Sequence, residues 1–497
     1  MKTKTALIRA FFFLTASVLL LVLYGVFLPR VLYGAISVSL EKNEMESAYK
    51  LTDIMIRFFP SHEKTQDLIL SSLPSSNGID AVYTKDIVIG PWFSSQRHNQ
   101  EGTVRVDENF SEKILRVAEA QKMEMWKWNV YERLGLFLTS SGSYIEAEDI
   151  LTKAAEGFEE LTSLSQARRS YYFLAKNARA SGNKEMDYFY LSIAGSEKFD
   201  ECSDTDGVLA ELGHLYLEKG MLDEAEKLFN RTISSFEEYR AELAAQGQEA
   251  FDIEIQRPWQ RSRNGLKMIE SFRSQNGGKV KKVSGSITFS GTPLSGVSAY
   301  LMPYEENSMY MDMGFDYNEN TFSAVSDEEG LFNFFGVPEA SYKVIFGFSA
   351  YQLKDAGKFH IPEIVTVGVG EDTVFAIQIR PKFAVMEEEV IKPGYEKAMQ
   401  FSWEPVNDAE NYEIRLFVKT ENGSFGHSIA SGADTLYTIL IRDTNSLRED
   451  FGSIPEDEPI LAATVTIQAV DKDGHILTDS AGLVYDANED YPIIFLK

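Results

Sequence analysis

The chain is poor in cysteine. Cys202 stands alone among 497 residues, so no disulfide can form within one copy. A lone cysteine in a stretch of helical period reads as a small buried hydrophobe rather than a nucleophile. Histidine is also scarce. His62, His98, His214, His360, His427 and His475 are scattered, and no two carry the sequence spacing of a metal-ligand pair. Positive charge is the minority, with 48 Lys and Arg against 75 Asp and Glu and a formal net charge of −27. Such a surface repels phosphate backbones, which excludes nucleic acid as the expected partner. No G-x-S-x-G, H-E-x-x-H, G-x-x-x-x-G-K-[ST] or G-x-G-x-x-G occurs; Gly368 and Gly370 supply only a fragment of the last. The expectation is a protein that is not an enzyme, with no catalytic residues, no cofactor and no resident metal.

Long apolar runs are rare too, with one exception. AFFFLTASVLLLVLYGVFL, from Ala10 to Leu28, carries no charge. As a helix it would span roughly 28 Å, close to a hydrocarbon core. Lys2, Lys4 and Arg9 precede it and Arg30 follows. The charge bias predicts a signal-anchor transmembrane helix over 1–30, with a cytoplasmic N-terminus and the remaining domains outside a cell membrane. A cleaved signal peptide is the rival, but the run exceeds the usual apolar segment and only LYGA at 32–35 resembles a cleavage site.

From 31 to 275 the apolar period is helical. Met45, Ala48, Thr52, Met55 and Phe58 mark one face, and Pro60 stops that helix. Residues 71–110 break the period and read as a long loop or small hairpin, with a short strand in DAVYTKDIVI. Two segments then repeat. Leu134, Gly135, Leu138, Gly142, Tyr144, Ala147, Leu151 and Ala154 are matched by Leu212, Gly213, Tyr216, Gly220, Leu222, Ala225 and Phe229. A weaker copy has Leu174, Ala175, Ala178, Gly182, Leu191 and Ala194. These residues resemble the tetratricopeptide repeat (TPR) family of helix–turn–helix units, although the copies lie further apart than the family's usual period. Small residues at Gly135 and Gly213 let the first helix approach the second, with Ala147 and Ala225 as counterparts. Gly142 and Gly220 end the first helix in a left-handed conformation.

Beyond the NGGK linker at 276–279 the period changes to two. Val283, Gly285, Ile287, Gly291, Pro293, Leu294, Gly296 and Val297 are followed by Asp327, Gly330, Phe332, Pro338 and Tyr342. This order over 283–380 resembles the carboxypeptidase regulatory-like family of prealbumin-type β-sandwiches, with Ala340 replacing the usual glycine. The three carboxylates Asp327, Glu328 and Glu329 sit before Gly330, where a hairpin needs an Asp and a residue tolerant of positive φ. They read as a turn, not a catalytic site. In 381–497, Trp403, Pro405, Ala409, Tyr412, Ile414 and Leu416 resemble the B and C strands of fibronectin type III domains, and Ile467, Ala469 and Asp473-Gly474 suit a later strand and hairpin. Trp403 is expected at the sandwich centre. Calcium is the one metal with any signal: DMGFDYNEN at 312–320 and DKDG at 471–474 cluster oxygen ligands, but neither completes a twelve-residue loop and both read as solvated loops.

The fold class expected is therefore multidomain α plus β: an N-terminal transmembrane helix, a TPR-like helical domain and two β-sandwiches. The function expected is a membrane-anchored, extracytoplasmic, non-enzymatic scaffold at a bacterial-type cell surface. Repeat helices provide concave surfaces for a protein or peptide, while sandwiches serve as spacer or adhesion modules. The candidate partner face is Trp128, Tyr131, Arg133, Tyr171, Tyr172, Lys176 and Arg179, a mixture of aromatic and basic groups. Two other readings stay open. One is a carbohydrate- or cell-wall-binding adhesin, with Trp92, Trp126, Trp128 and Trp259 as candidates for sugar stacking. The other is an unrecognised enzyme using acid and base groups of the helical domain.

Overall fold

The computed structural model describes residues 23–41, 45–74, 87–89, 94–96, 108–121, 124–200, 202, 205–247, 252, 256–274, 282–304, 321–349, 351–353, 355–357, 359–361, 364–367, 372–382, 384–390, 398–420, 424–440, 460–480 and 493–494. The chain divides into two compact units. One takes Met1–Thr84 with Arg97–Gly265, the other Lys85–Gln96 with Leu266–Lys497.

The first unit is helical. After a π-turn at Leu23–Phe27 come α1 (Leu28–Glu41), α2 (Met45–Phe58), α3 (Glu63–Ser72), α4 (Glu108–Ala120), α5 (Glu124–Ser140), α6 (Tyr144–Glu160), α7 (Leu164–Ser181), α8 (Lys184–Ala194), α9 (Thr205–Glu218), α10 (Leu222–Ala245) and α11 (Arg257–Ser274), whose part from Leu266 onward is counted with the second unit. Helices α5 to α10 form three antiparallel pairs. Gly142, Gly182 and Gly220 close α5, α7 and α9 with φ of 84°, 86° and 75°, the left-handed stop that their spacing predicts. The reason the first helix of a pair carries glycine is visible in the packing. A Cβ on Gly135 would lie 2.5 Å from Leu151 Cγ, and one on Gly213 would lie 2.5 Å from Phe229 Cε1. The counterparts are thus Leu151 and Phe229, not Ala147 and Ala225, which are buried beside them. Cys202 lies in a bend after the 3-10 turn Glu197–Phe199 rather than in a helix, half-buried against the helical core.

The expected membrane anchor requires correction. Among the described residues no helix is long and apolar enough to cross a membrane. Most of the run Ala10–Leu28 lies outside the described residues. Its described end is a π-turn followed by α1, a helix of 14 residues that carries Arg30 and ends at Glu41. At 1.5 Å per residue that helix is about 21 Å long, short of a hydrocarbon core of about 30 Å. Ile36 of α1 is buried in the helical core, where Leu32, Tyr33 and Leu40 also pack, so this helix is committed to protein contacts. The single-pass placement is accordingly withdrawn.

The second unit holds four sheets. A six-stranded sheet has the order β2-β1-β8-β5-β6, with β9 also on β8: β1 (Ile87–Ile89), β2 (Ser94–Gln96), β5 (Ser298–Pro303), β6 (Phe322–Val325), β8 (Ala340–Phe348) and β9 (Val365–Val367). The second sheet joins β3 (Lys282–Phe289) to β4 (Thr292–Pro293), β7 (Leu331–Phe335) and, in parallel, β10 (Thr373–Ile379). Alternate residues of β5 and β6 are buried, while β8 is buried continuously from Tyr342 to Phe348; the buried residues of the two sheets include Val283, Ile287, Leu301, Phe332, Phe346 and Ile377. The hairpin β1–β2 comes from the aperiodic stretch 71–110. Its strand β1 pairs antiparallel with the end of β8, Ile87 opposite Phe348 and Ile89 opposite Phe346. A segment embedded in the helical sequence therefore belongs to the β unit.

The last two sheets are β11 (Val385–Val390), β12 (Ala398–Trp403) and β15 (Leu436–Leu440) in one, and β13 (Asn411–Thr420), β14 (Ser424–Gly432), β16 (Ile460–Val470), β17 (Ile476–Asp479) and β18 (Ile493–Ile494) in the other. Their common core joins Phe401 and Trp403 to Tyr412, Ile414, Leu416, Val465 and Ile467. Trp403, 4% exposed, sits at that centre as its position in the strand pattern predicts. The turn at Asp327 is a turn in structure as well. Gly330 has φ of 69° and donates to the Asp327 carbonyl, while Asp327 Oδ1 accepts from the Leu331 amide at 2.8 Å.

Candidate interaction face of the helical repeats

Helices α5, α7 and α9 are the leading helices of successive pairs, α11 follows the last pair, and charged side chains couple the four. Glu132 on α5 is fully buried. It accepts from Arg169 Nε at 3.2 Å and Nη2 at 2.7 Å, and from Ser170 Oγ at 2.9 Å, all on α7. Glu211 on α9 is equally buried and gathers a larger set. Tyr172 Oη donates to it at 2.9 Å and Arg179 Nη1 at 2.7 Å. Lys176 Nζ lies 3.8 Å away and Arg261 Nη1, from α11, lies 3.7 Å away. Arg179 also holds Asp187 of α8 bidentately, at 2.7 and 3.1 Å. Burial works against the Arg179 charge, but Asp187 and Glu211 outweigh it and hold its pKa well above the ordinary value.

This geometry sorts the seven predicted residues. Tyr172, Lys176 and Arg179 converge on Glu211, with Tyr172 fully buried and Arg179 and Lys176 each 16% exposed. Trp128 and Tyr131 meet edge-to-face at 5.3 Å, and Trp128 lies over Gly157 of α6, where a Cβ would meet its ring at 2.0 Å. Tyr131 is buried. Tyr171 leans on Phe199 at 6.2 Å, and burial, aided by Glu159, pushes its hydroxyl up to about 12. Arg133 donates to the Leu70 carbonyl at 2.8 Å. The seven thus form a group of three and a pair, with Tyr171 and Arg133 held separately, rather than one patch. Trp128, Arg133, Tyr171, Lys176 and Arg179 keep part of their surface exposed.

Sequence reasoning missed Glu132, Asp187, Glu211 and Arg261. The available signal was a carboxylate inside an apolar helical run, as in LAELGHL and VYERLGLFL, because a buried charge must find partners. His214 adjoins the same cluster. Its Nε2 faces the Arg261 carbonyl at 3.1 Å and its ring meets Phe229 at 5.0 Å. Burial, then the Arg261 charge, lowers its pKa to about 3. The unfolded chain takes up a proton near pH 6.5 that the folded chain refuses, so stability falls as pH drops from 6.5 towards 3. The slope per site approaches about 1.4 kcal/mol per pH unit. Urea unfolding of the full chain between pH 6.5 and 5, followed by helical circular dichroism, should show this slope, and His214→Gln should flatten it. An identical slope in the variant would reject the assignment.

The described tryptophans offer no open sugar platform: Trp126 and Trp403 are buried, and Trp128 and Trp259 are half-buried. Trp92 and the acidic stretch 312–320 lie outside the described residues.

No family model matches the chain, and no curated protein sequence matches it. Among solved structures, a set of nearly identical TPR-like repeats from Podosopora anserina, assigned there to a kinesin light chain, is 15% identical; it covers 34% of this chain and 80% of its own, with a TM-score of 0.26. A DUF3823 family protein from Parabacteroides merdae is 13% identical, covering 41% of this chain and 98% of its own, with a TM-score of 0.16. Another from Bacteroides ovatus is 12% identical, covering 41% and 97%, with a TM-score of 0.14.

Proposed function

We propose that the chain is a non-enzymatic binding or scaffold protein whose helical repeats take a protein or peptide partner, with the two sandwich modules as spacers. The observation that supports this reading is the cross-linked row of helices α5, α7, α9 and α11. Glu132 ties α5 to α7, and Glu211 ties α7, α9 and α11. Such ties rigidify a stacked array, and a rigid array binds without a large ordering cost. The first sandwich is read as carboxypeptidase regulatory-like. The last module is read as fibronectin type III-like, because three strands face a larger sheet across a core centred on Trp403.

The test uses the full chain, because the hairpin β1–β2 makes residues 31–275 an incomplete excision. A randomised peptide library is screened against it, and any binder is retested on the Trp128→Ala, Tyr171→Ala and Lys176→Ala variants. At least one variant should weaken binding tenfold or more, with helical content unchanged. Binders that ignore all three changes would move recognition away from this face and towards the sandwiches.

A further inference from the structure

Helix α1 has two apolar sides. Pro29, Ile36 and Ser39 are buried on one of them, and Leu32, Tyr33 and Leu40 pack on the same core of the helical unit. The opposite side stays open. Tyr24 and Phe27, in the π-turn that leads into the helix, are 50% and 54% exposed, and Val31 and Val38 are 65% and 47% exposed. Gly34 falls on the same line, and a Cβ built on it would meet nothing within 4 Å. Val26 and Leu28, 41% and 39% exposed, flank that line. Between Leu28 and Leu40 the one charge is Arg30.

The spacing of the open side decides what it fits. Tyr24, Phe27, Val31, Gly34 and Val38 follow one another at alternating intervals of three and four residues. That is the a and d spacing of a coiled-coil seam, narrower than the stripe by which a helix joins a globular core. A helix that is apolar on all sides is a buried helix, and the core of its own unit fills only one side of α1. A helix lying in a lipid surface needs a charged or polar face turned to water, and in α1 that place is taken by the protein core. The available area is sufficient for self-association. An aromatic side chain offers about 150–250 Å², so the six exposed side chains present roughly 600 Å² per copy and about 1,200 Å² in a symmetric pair, the lower bound of a specific interface. The net charge of −27 opposes contact between copies elsewhere, but this line carries no carboxylate.

We infer that the open side of α1 is a self-association surface, on which a second copy of this chain seats its own α1 to form a two-stranded coil. The same line of residues serves both copies, as a two-fold interface requires. Gly34 of one helix leaves room for a larger side chain of the other. Pairing presents two repeat arrays together, so, if the repeats bind a peptide or protein as proposed above, a partner with two sites is held more tightly than either array holds it alone. The sequence hides the seam because only the fold tells which side of α1 is already occupied.

The test is sedimentation equilibrium of the full chain. At roughly 10 µM, a concentration suited to an interface at the low end of the specific size range, the chain should sediment as a dimer. Val31→Glu and Val38→Glu should each weaken the dimer at least tenfold with helical circular dichroism unchanged, because both side chains lie largely outside the core of their own copy. Val31→Ala trims the seam without adding charge and should weaken it less. Ile145→Glu, at an 86% exposed position on α6, should leave the dimer intact. A full chain that is monomeric at that concentration would overturn the inference. So would a dimer that survives both glutamates, or one that Ile145→Glu weakens equally. Monomers that float with phosphatidylcholine vesicles, and cease to do so on Val31→Glu, would assign the face to lipid instead and reject the second copy.

Discussion

Glu211→Ala is expected to destabilise the helical unit by about 3–5 kcal/mol, because it leaves buried cationic neighbours without their shared carboxylate. The groups affected are Tyr172, Lys176, Arg179 and Arg261, which approach it from two helices. Urea denaturation of the full chain, monitored at the helical band, measures the loss. Glu211→Gln keeps an acceptor for Tyr172 and removes only the charge, so its loss should be smaller. A loss below about 1 kcal/mol for alanine would mean that solvent enters the cluster and screens it as it screens surface pairs.

Gly213→Leu should be comparably damaging by a different mechanism. The Phe229 ring is fully buried and lies against two glycines at once. A Cβ on Gly213 of α9 would stand 2.5 Å from Cε1, and one on Gly265 of α11 would stand 2.3 Å from Cε2. Neither side can yield, so the extra side chain forces the helices apart at a cost of about 1–3 kcal/mol or more. The double change Gly213→Leu with Phe229→Ala should recover part of that loss, although Phe229→Ala alone leaves a cavity. Thermal unfolding of the four proteins gives the coupling directly. Strict additivity would show that the two positions do not touch.

Local features were legible in the sequence wherever one residue type answers one backbone demand. Gly142, Gly182 and Gly220 mark helix ends, Gly330 marks a hairpin, Pro60 stops a helix and Trp403 marks a sandwich core, because each signal needs only its neighbours in the chain. Partnerships across the fold were not legible. Lys176 and Arg179 read as surface cations until α9 brings Glu211 beneath them. Trp128 reads as a recognition residue until α6 offers Gly157 as its seat. The apolar run misled for a related reason: hydropathy reports that residues avoid water, not which apolar neighbour they choose. In α1 the described part of the answer is the core of the helical unit.

The hairpin β1–β2 gives the chain a dependency in time. Residues 87–89 leave the ribosome well before β8, their pairing partner at 346–348, so the sheet closes over a separation of roughly 250 residues. Until then the hairpin has no sheet to join. If 283–497 is made alone, the far edge of β8 from Phe346 to Phe348 loses the strand that covers it in the whole chain. An uncovered edge of that composition is a template for another copy of itself. The first segment therefore acts on the later one as a built-in blocking strand, and a truncation chosen at the linker would exchange an intramolecular partner for an intermolecular one.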